Sequence, residues 1–135
     1  MKPLDIYIDG AAKGNPGPAG IGVVICQDSH ILTNLSKFIG NATNNVAEYT
    51  ALIYALQEAL ILKADKIRLW TDSELLCKQV QGEYRVRHSN LKPLYEQIKN
   101  LSRGFSSFEI QHLSRTQNCG ADKLANQAIK EAKIN

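Results

Sequence analysis

Leu4-Asp5-Ile6-Tyr7-Ile8-Asp9 runs directly into Gly10–Gly22, whose sequence is GAAKGNPGPAGIG. Leu4, Ile6 and Ile8 alternate with Asp5 and Tyr7 as in a half-buried strand, and that strand delivers Asp9 at its end. Glycines at 10, 14, 17, 20 and 22 and prolines at 16 and 18 then mark a tight reversal into a second strand. A β-hairpin whose turn merely follows an aspartate is one reading. An acid displayed for chemistry is the other, and three later segments, each with a carboxylate in a structurally special place, bear on the choice.

Outward from the hairpin, Ile21–Cys26 (IGVVIC) reads as the second strand and Ile31–Ile39 (ILTNLSKFI) as a third, so the first three form an antiparallel meander. Gly40 to Asn45 breaks the pattern and opens a helix to about Lys63, with Ala47, Ala51, Leu52, Ala55, Leu56, Ala59 and Leu60 as its buried stripe. Lys66–Thr71 is a fourth strand ending in Asp72-Ser73, which starts a short helix over Glu74–Val80. Asn90 is expected to cap a helix over about Leu91–Leu101, with Pro93 tolerated in its first turn. Ser107–Leu113 is the fifth strand, with Phe108, Ile110 and His112 on one face, and Ala121–Lys133 is a last helix with Leu124, Ala125, Ala128, Ile129 and Ala132 as its apolar side. The order predicts an α/β fold. It has one five-stranded mixed sheet, three antiparallel strands plus two parallel ones added by crossovers, flanked by helices in a single domain over 1–135.

With 135 residues, 44% apolar and 21% charged, the chain has the composition of one globular domain. Cys26, Cys77 and Cys119 are odd in number and widely spaced, which fits reduced thiols and argues against a zinc site. The start lacks the apolar core of a signal peptide, and no apolar run approaches the roughly 20 residues of a membrane helix. A soluble cytoplasmic protein with no membrane contact is expected. Net charge is +3, but between Lys78 and Arg103 six bases (Lys78, Arg85, Arg87, Lys92, Lys99, Arg103) face two acids (Glu83, Glu96). Setting aside four carboxylates leaves 16 bases against 9 acids, a surface suited to an anionic partner such as nucleic acid.

Those four are Asp9, Glu48, Asp72 and Asp122. Asp9 and Asp72 end strands, and ligand sites collect at the carboxyl ends of parallel strands. Glu48 lies one turn before Leu52 on the inner stripe of its helix, and Asp122 lies in the first turn of the last helix. Each has a local alternative: Glu48 in a capping box with Asn45, Asp72 as an N-cap, Asp122 favouring a helix dipole. All four map to one edge of the sheet, however, and four converging acids cannot all stay ionised without compensation. Oxygen-only ligands point to one or two hard cations, Mg²⁺ or Mn²⁺. A pair of such ions about 4 Å apart clamps a phosphodiester for in-line displacement.

Asp9-Gly10 with GNPGPAGIG, Thr43-Asn44-Asn45 with Glu48, Thr71-Asp72-Ser73, and His112-Leu113-Ser114-Arg115 with Asn118 and Asp122-Lys123-Leu124-Ala125 together resemble the type 1 ribonuclease H family, in the family's order and over nearly the whole chain. The resemblance implies a monomeric metal-dependent endonuclease that cuts the RNA strand of RNA–DNA hybrids, leaving 5′-phosphate and 3′-hydroxyl ends, in removal of primers and R-loops. It implies that Asp9 bridges two ions, with Glu48 and Asp72 completing one shell and Asp122 the other. Gly10, Asn15, Asn44, Asn45 and Ser73 match positions that touch the hybrid, including 2′-hydroxyls of the RNA.

Two departures stand out. Only eight residues separate Leu113 from Asp122 and none is histidine, whereas better-known relatives carry a loop histidine there. Arg115 is the candidate for contacting the scissile phosphate or the leaving product, and His112 reads as structural. Gly82–Asn90 (GEYRVRHSN) is too short for the basic helix and handle of those relatives, which marks the compact form and leaves hybrid binding to Arg85, Arg87, Lys92 and Tyr84. Two alternatives stay open: cleavage of double-stranded RNA, and a nucleic-acid-binding module without catalysis. An integrase or resolvase is disfavoured by the GNPG and TNN motifs.

Overall fold

The computed structural model describes residues 3–134. Its elements are β1 (Leu4–Ala12), β2 (Gly17–Gln27), β3 (His30–Ala42), α1 (Asn44–Ile61), β4 (Lys66–Thr71), α2 (Glu74–Val80), α3 (Lys92–Ser102), β5 (Ser107–His112), one 3-10 turn (Arg115–Asn118) and α4 (Cys119–Ile134). They form one five-stranded sheet in the order β3-β2-β1-β4-β5, antiparallel through the first three and parallel from β1 to β4 to β5. This is the mixed sheet expected from the sequence.

The strands are longer than periodicity suggests. β1 does not stop at Asp9: it continues antiparallel to β2 through Ala11↔Gly20 and Ala12↔Ala19. Only residues 13–16 make the turn, which the Lys13 amide closes by donating to the Pro18 carbonyl at 2.8 Å. The parallel ladder to β4 ends at Ile8↔Thr71, so Asp9 still stands where that ladder opens.

Leu4, Ile6 and Ile8 are fully buried and form the core with Ile21, Val23 and Ile25 of β2, Leu52 and Leu56 of α1, and Leu69 of β4. Gly10 continues their face, and a Cβ there would lie 2.4 Å from the Glu48 nitrogen, so only glycine lets the first turn of α1 press against β1. α2 and α3 pack beside α1, while α4 covers β2, β3 and β1. α4 is seated on two glycines of β2. A Cβ on Gly20 would meet the Ala125 carbonyl at 2.5 Å, and one on Gly22 the Ala121 carbonyl at 2.1 Å. Ser36 of β3 donates its hydroxyl to the Leu124 carbonyl and fastens the helix from the side. Beyond α4 the same sheet shows Tyr7 stacked on Trp70, centroids 6.3 Å apart, above Asp5, which accepts two bonds from Arg68 at 2.8 and 3.0 Å.

Two caps differ from expectation. The N-cap of α1 is Thr43, whose Oγ1 accepts from Val46 N, so Glu48 makes no capping box with Asn45. Asn90 does not cap α3: the helix has Leu91 at its N-cap without a side-chain bond, and the His88 carbonyl accepts from the Leu91 and Lys92 amides. Cys26 and Cys77 are free thiols, and the side chain of Cys119 lies outside the described ones. Among the described residues no helix is long and apolar enough to cross a membrane.

Candidate active site

Asp9, Glu48 and Asp72 converge. A carboxylate oxygen from each lies within 4.8 Å of the other two. Three segments of the fold meet to do this. Asp9 comes from the central strand, Glu48 from α1 across Gly10, and Asp72 from the residue after β4. The first two are buried, at 1% and 3% exposure. Asp72 is no helix cap, since Ser73 caps α2 by accepting from Leu76 N. Thr71, fully buried, holds the Asp72 segment from both sides: its Oγ1 accepts from Ser73 N and its carbonyl from Leu113 N.

Asp122 joins from α4, outside that 4.8 Å group yet close enough to Asp9 to act on its titration. The Gly22 seat explains the approach, because Gly22 is the cross-strand partner of Asp9 and the helix backbone rests on it at Ala121. Asn126, one turn on, donates to the Asp122 carbonyl and to its Oδ1 at 2.9 and 3.3 Å, orienting the acid. Asn118, 1% exposed, donates from Nδ2 to the Ile8 carbonyl at 2.7 Å and so ties the start of α4 to the residue before Asp9.

The electrostatics are those of buried acids crowded against one another. Burial first, then the charge of Asp72 and the neighbouring Asp122, pushes the Asp9 carboxyl up to about 8. Burial and then Asp9 and Asp72 push Glu48 well above the usual carboxylate range, against the pull of the Gly10 amide that donates to it. Asp9 Oδ1, Glu48 Oε2 and Asp72 Oδ2 are buried without a hydrogen-bond partner. Orphaned anionic oxygens from three elements, with no nitrogen or sulfur donor in the group, fit a hard divalent cation. Arg115 opens the 3-10 turn with its side chain 73% exposed, and its Nε stands 3.7 Å from Asp72 Oδ2 at the mouth of the cluster.

A family model described as reverse transcriptase-like matches residues 7–128. Ribonuclease HI of Halobacterium salinarum is 42% identical over 127 residues, covering 93% of this chain and 64% of that protein. LC11-RNase H1, solved in complex with an RNA/DNA hybrid, superposes with a TM-score of 0.91 at 41% identity, covering 96% of this chain and 98% of that one. The chain belongs to the type 1 ribonuclease H family. It spans about a third of the length of another relative, the bifunctional protein Rv2228c of Mycobacterium tuberculosis, to which it is 40% identical over 129 residues.

Beside the ribonuclease H carboxylates the structure gathers the asparagines. Asn15 Oδ1 accepts from the Asn44 amide at 3.0 Å, clasping the β1–β2 turn to the start of α1. Asn15, Thr43 and Asn45 line a hollow of about 200 Å³ with His88 and Asn90. Gly10 is buried beneath α1, and the Ser73 hydroxyl is engaged as a cap. Arg85 and Arg87 are exposed on the connection between α2 and α3, which is short, as in the compact form of the family. Tyr84 and Lys92 line a groove of about 770 Å³ with Arg85 and Tyr95. His112 is exposed at the end of β5 rather than packed with Ile110, beside α2.

The spacing of Asn126 four residues after Asp122 could have been read as a helical pair. The tie from Asn118 to the Ile8 carbonyl had no such local pattern, because its partner lies on a strand from the other end of the chain.

Proposed function

We propose that this chain hydrolyses the RNA strand of RNA–DNA hybrids, leaving 5′-phosphate and 3′-hydroxyl ends. The observation that carries the reading is the cluster of Asp9, Glu48 and Asp72 with its buried unpartnered oxygens, in a family whose relative LC11-RNase H1 has been solved with an RNA/DNA hybrid. Mg²⁺ or Mn²⁺ would be held by Asp9, Glu48 and Asp72, with Asp122 completing a second position next to Asp9. When bound, such ions activate the attacking water and stabilise the leaving oxygen of an in-line displacement.

The chain's own residues do the rest. The Gly10 amide holds Glu48, Asn126 holds Asp122, and Thr71 holds the backbone at Asp72. Arg115, exposed beside Asp72, supplies a mobile cation for the cleaved phosphate in place of the missing loop histidine. Asn15, Asn44, Asn45, Arg85 and Arg87 offer polar and cationic contacts to the two backbones of the hybrid.

The test presents one labelled sequence as hybrid, double-stranded RNA, double-stranded DNA and single-stranded RNA, each with Mg²⁺, Mn²⁺ or EDTA. Metal-dependent cutting of only the RNA in the hybrid is expected. Cutting of double-stranded RNA as well would broaden the substrate. Binding without cutting under either metal would make the chain a binding module and remove the catalytic assignments together.

A further inference from the structure

Gln79, at 5% exposure, is a buried polar side chain away from the carboxylates, and both its ends are used. Its Oε1 accepts from the hydroxyl of Tyr49, itself 1% exposed, and its Nε2 donates to the Arg85 carbonyl at 3.3 Å. Tyr49 follows Glu48 directly on α1, so the chain of bonds runs from the helix that carries a metal-site carboxylate to the backbone of the basic segment. Residues 85–88 lie outside any helix or strand. Among the described residues, the bond from Gln79 is the only hydrogen bond to the backbone of Arg85, Val86 or Arg87. Val86 adds apolar packing against the core, and before it the chain is fixed by the Glu83 and Tyr84 amides on the Lys78 carbonyl.

We propose that Tyr49 and Gln79 form a buried strut that sets the Arg85–Arg87 segment at a fixed place relative to α1, making Gln79 a positioning residue for hybrid binding. The proposal rests on Arg85 and Arg87 being substrate contacts. The place calls for a side chain that accepts at one end and donates at the other, which a neutral amide does at every pH without bringing a charge into a dry site. Without the strut the two guanidinium groups would sit on a loop whose ordering has to be supplied on binding, which lowers affinity without touching the chemistry. The compact form has no inserted helix to hold that segment, so the duty falls to the buried amide.

The experiment compares wild type, Gln79→Met, Gln79→Glu and Tyr49→Phe by three readouts. These are trypsin cleavage after Arg85 and Arg87 mapped by mass spectrometry, hybrid affinity in EDTA, and kcat with KM in Mg²⁺. Gln79→Met is expected to speed cleavage at both arginines and to weaken affinity and raise KM by about fivefold, the factor one hydrogen bond of ordinary strength is worth, with kcat unchanged. Gln79→Glu is expected to lose affinity relative to wild type at pH 8 and regain it at pH 5.5, where a protonated carboxyl again donates to the Arg85 carbonyl. Thermal melts identify any variant that is not folded, in which case Tyr49→Phe, which removes one hydroxyl, carries the comparison. Proteolysis at the wild-type rate in a folded variant overturns the strut. Faster proteolysis with unchanged affinity, or a fall in kcat with unchanged KM, overturns its role in binding. If wild type itself ignores the hybrid, the hybrid reading fails and the role in binding with it, while the proteolysis comparison still decides whether the strut exists.

Discussion

At Asp9 the fold holds a carboxyl that titrates at about 8 because it is buried beside Asp72 and Asp122. A group whose pKa is raised by folding contributes stability below its unfolded value and loses that contribution as pH rises through the folded value. The metal-free protein is therefore expected to lose stability between pH 5 and 8.5, with the melting temperature in EDTA falling by roughly 5 °C. Glu48, shifted in the same direction, adds to the slope. Asp9→Asn should flatten the slope, abolish cleavage and keep or improve hybrid affinity, since it removes a ligand and a negative charge near phosphates. Retained turnover would remove Asp9 from the centre of the site. Asn118 offers a complementary test away from the ions. Its Nδ2 anchors the Ile8 carbonyl in the interior, so Asn118→Ala should cost roughly 1–3 kcal/mol in urea unfolding, and an unchanged midpoint would show the tie to be idle.

Among elements, α4 depends on a seat prepared a hundred residues earlier. A methyl group at Gly22 would lie 2.1 Å from the Ala121 carbonyl, so Gly22→Ala has to lift the helix that carries Asp122. We expect a stability loss of about 1–3 kcal/mol but a fall in turnover on the order of 100-fold. Divalent-ion binding to the other three acids should persist by calorimetry, and wild-type turnover would mean that Asp122 need not be held. This seat also shows where reading the sequence stops. Gly20 and Gly22 were legible as turn formers, and turn formers they are not: their use is fixed by a helix that arrives from the other end of the chain. The acids themselves were legible because their surroundings are local. Glu48 is betrayed by its place on an apolar helical stripe, and Asp72 by a strand that ends just before it. β4 and α2 fall where periodicity puts them, since an apolar strand and a capped helix need little from elsewhere. Asn90 misled because a backbone carbonyl, that of His88, took the amides a cap would have taken.

For the molecule as a whole, charge is divided between an acidic centre and a basic rim. Replacing Arg85 and Arg87 by Ala should weaken hybrid binding and reduce the slope of log affinity against log salt by about 1 to 2, as expected when two cations no longer meet phosphates. An unchanged affinity at low salt would place the binding face elsewhere. Arg115→Ala, by contrast, should lower turnover more than affinity, because Arg115 stands at the mouth of the carboxylates rather than along the rim. A normal rate would leave Arg115 as surface charge. The two results together would separate the parts of the surface that hold substrate from the part that meets the cleaved bond. Trp70 makes the centre visible without any substrate. It is the chain's single tryptophan, two residues before Asp72 and next to last in β4, and its indole lies against Tyr7 on the strand that carries Asp9. The protein thus carries a built-in fluorophore stacked across the two strands that lead to the proposed cation site, and its emission should register loading of that site in a cuvette with no label.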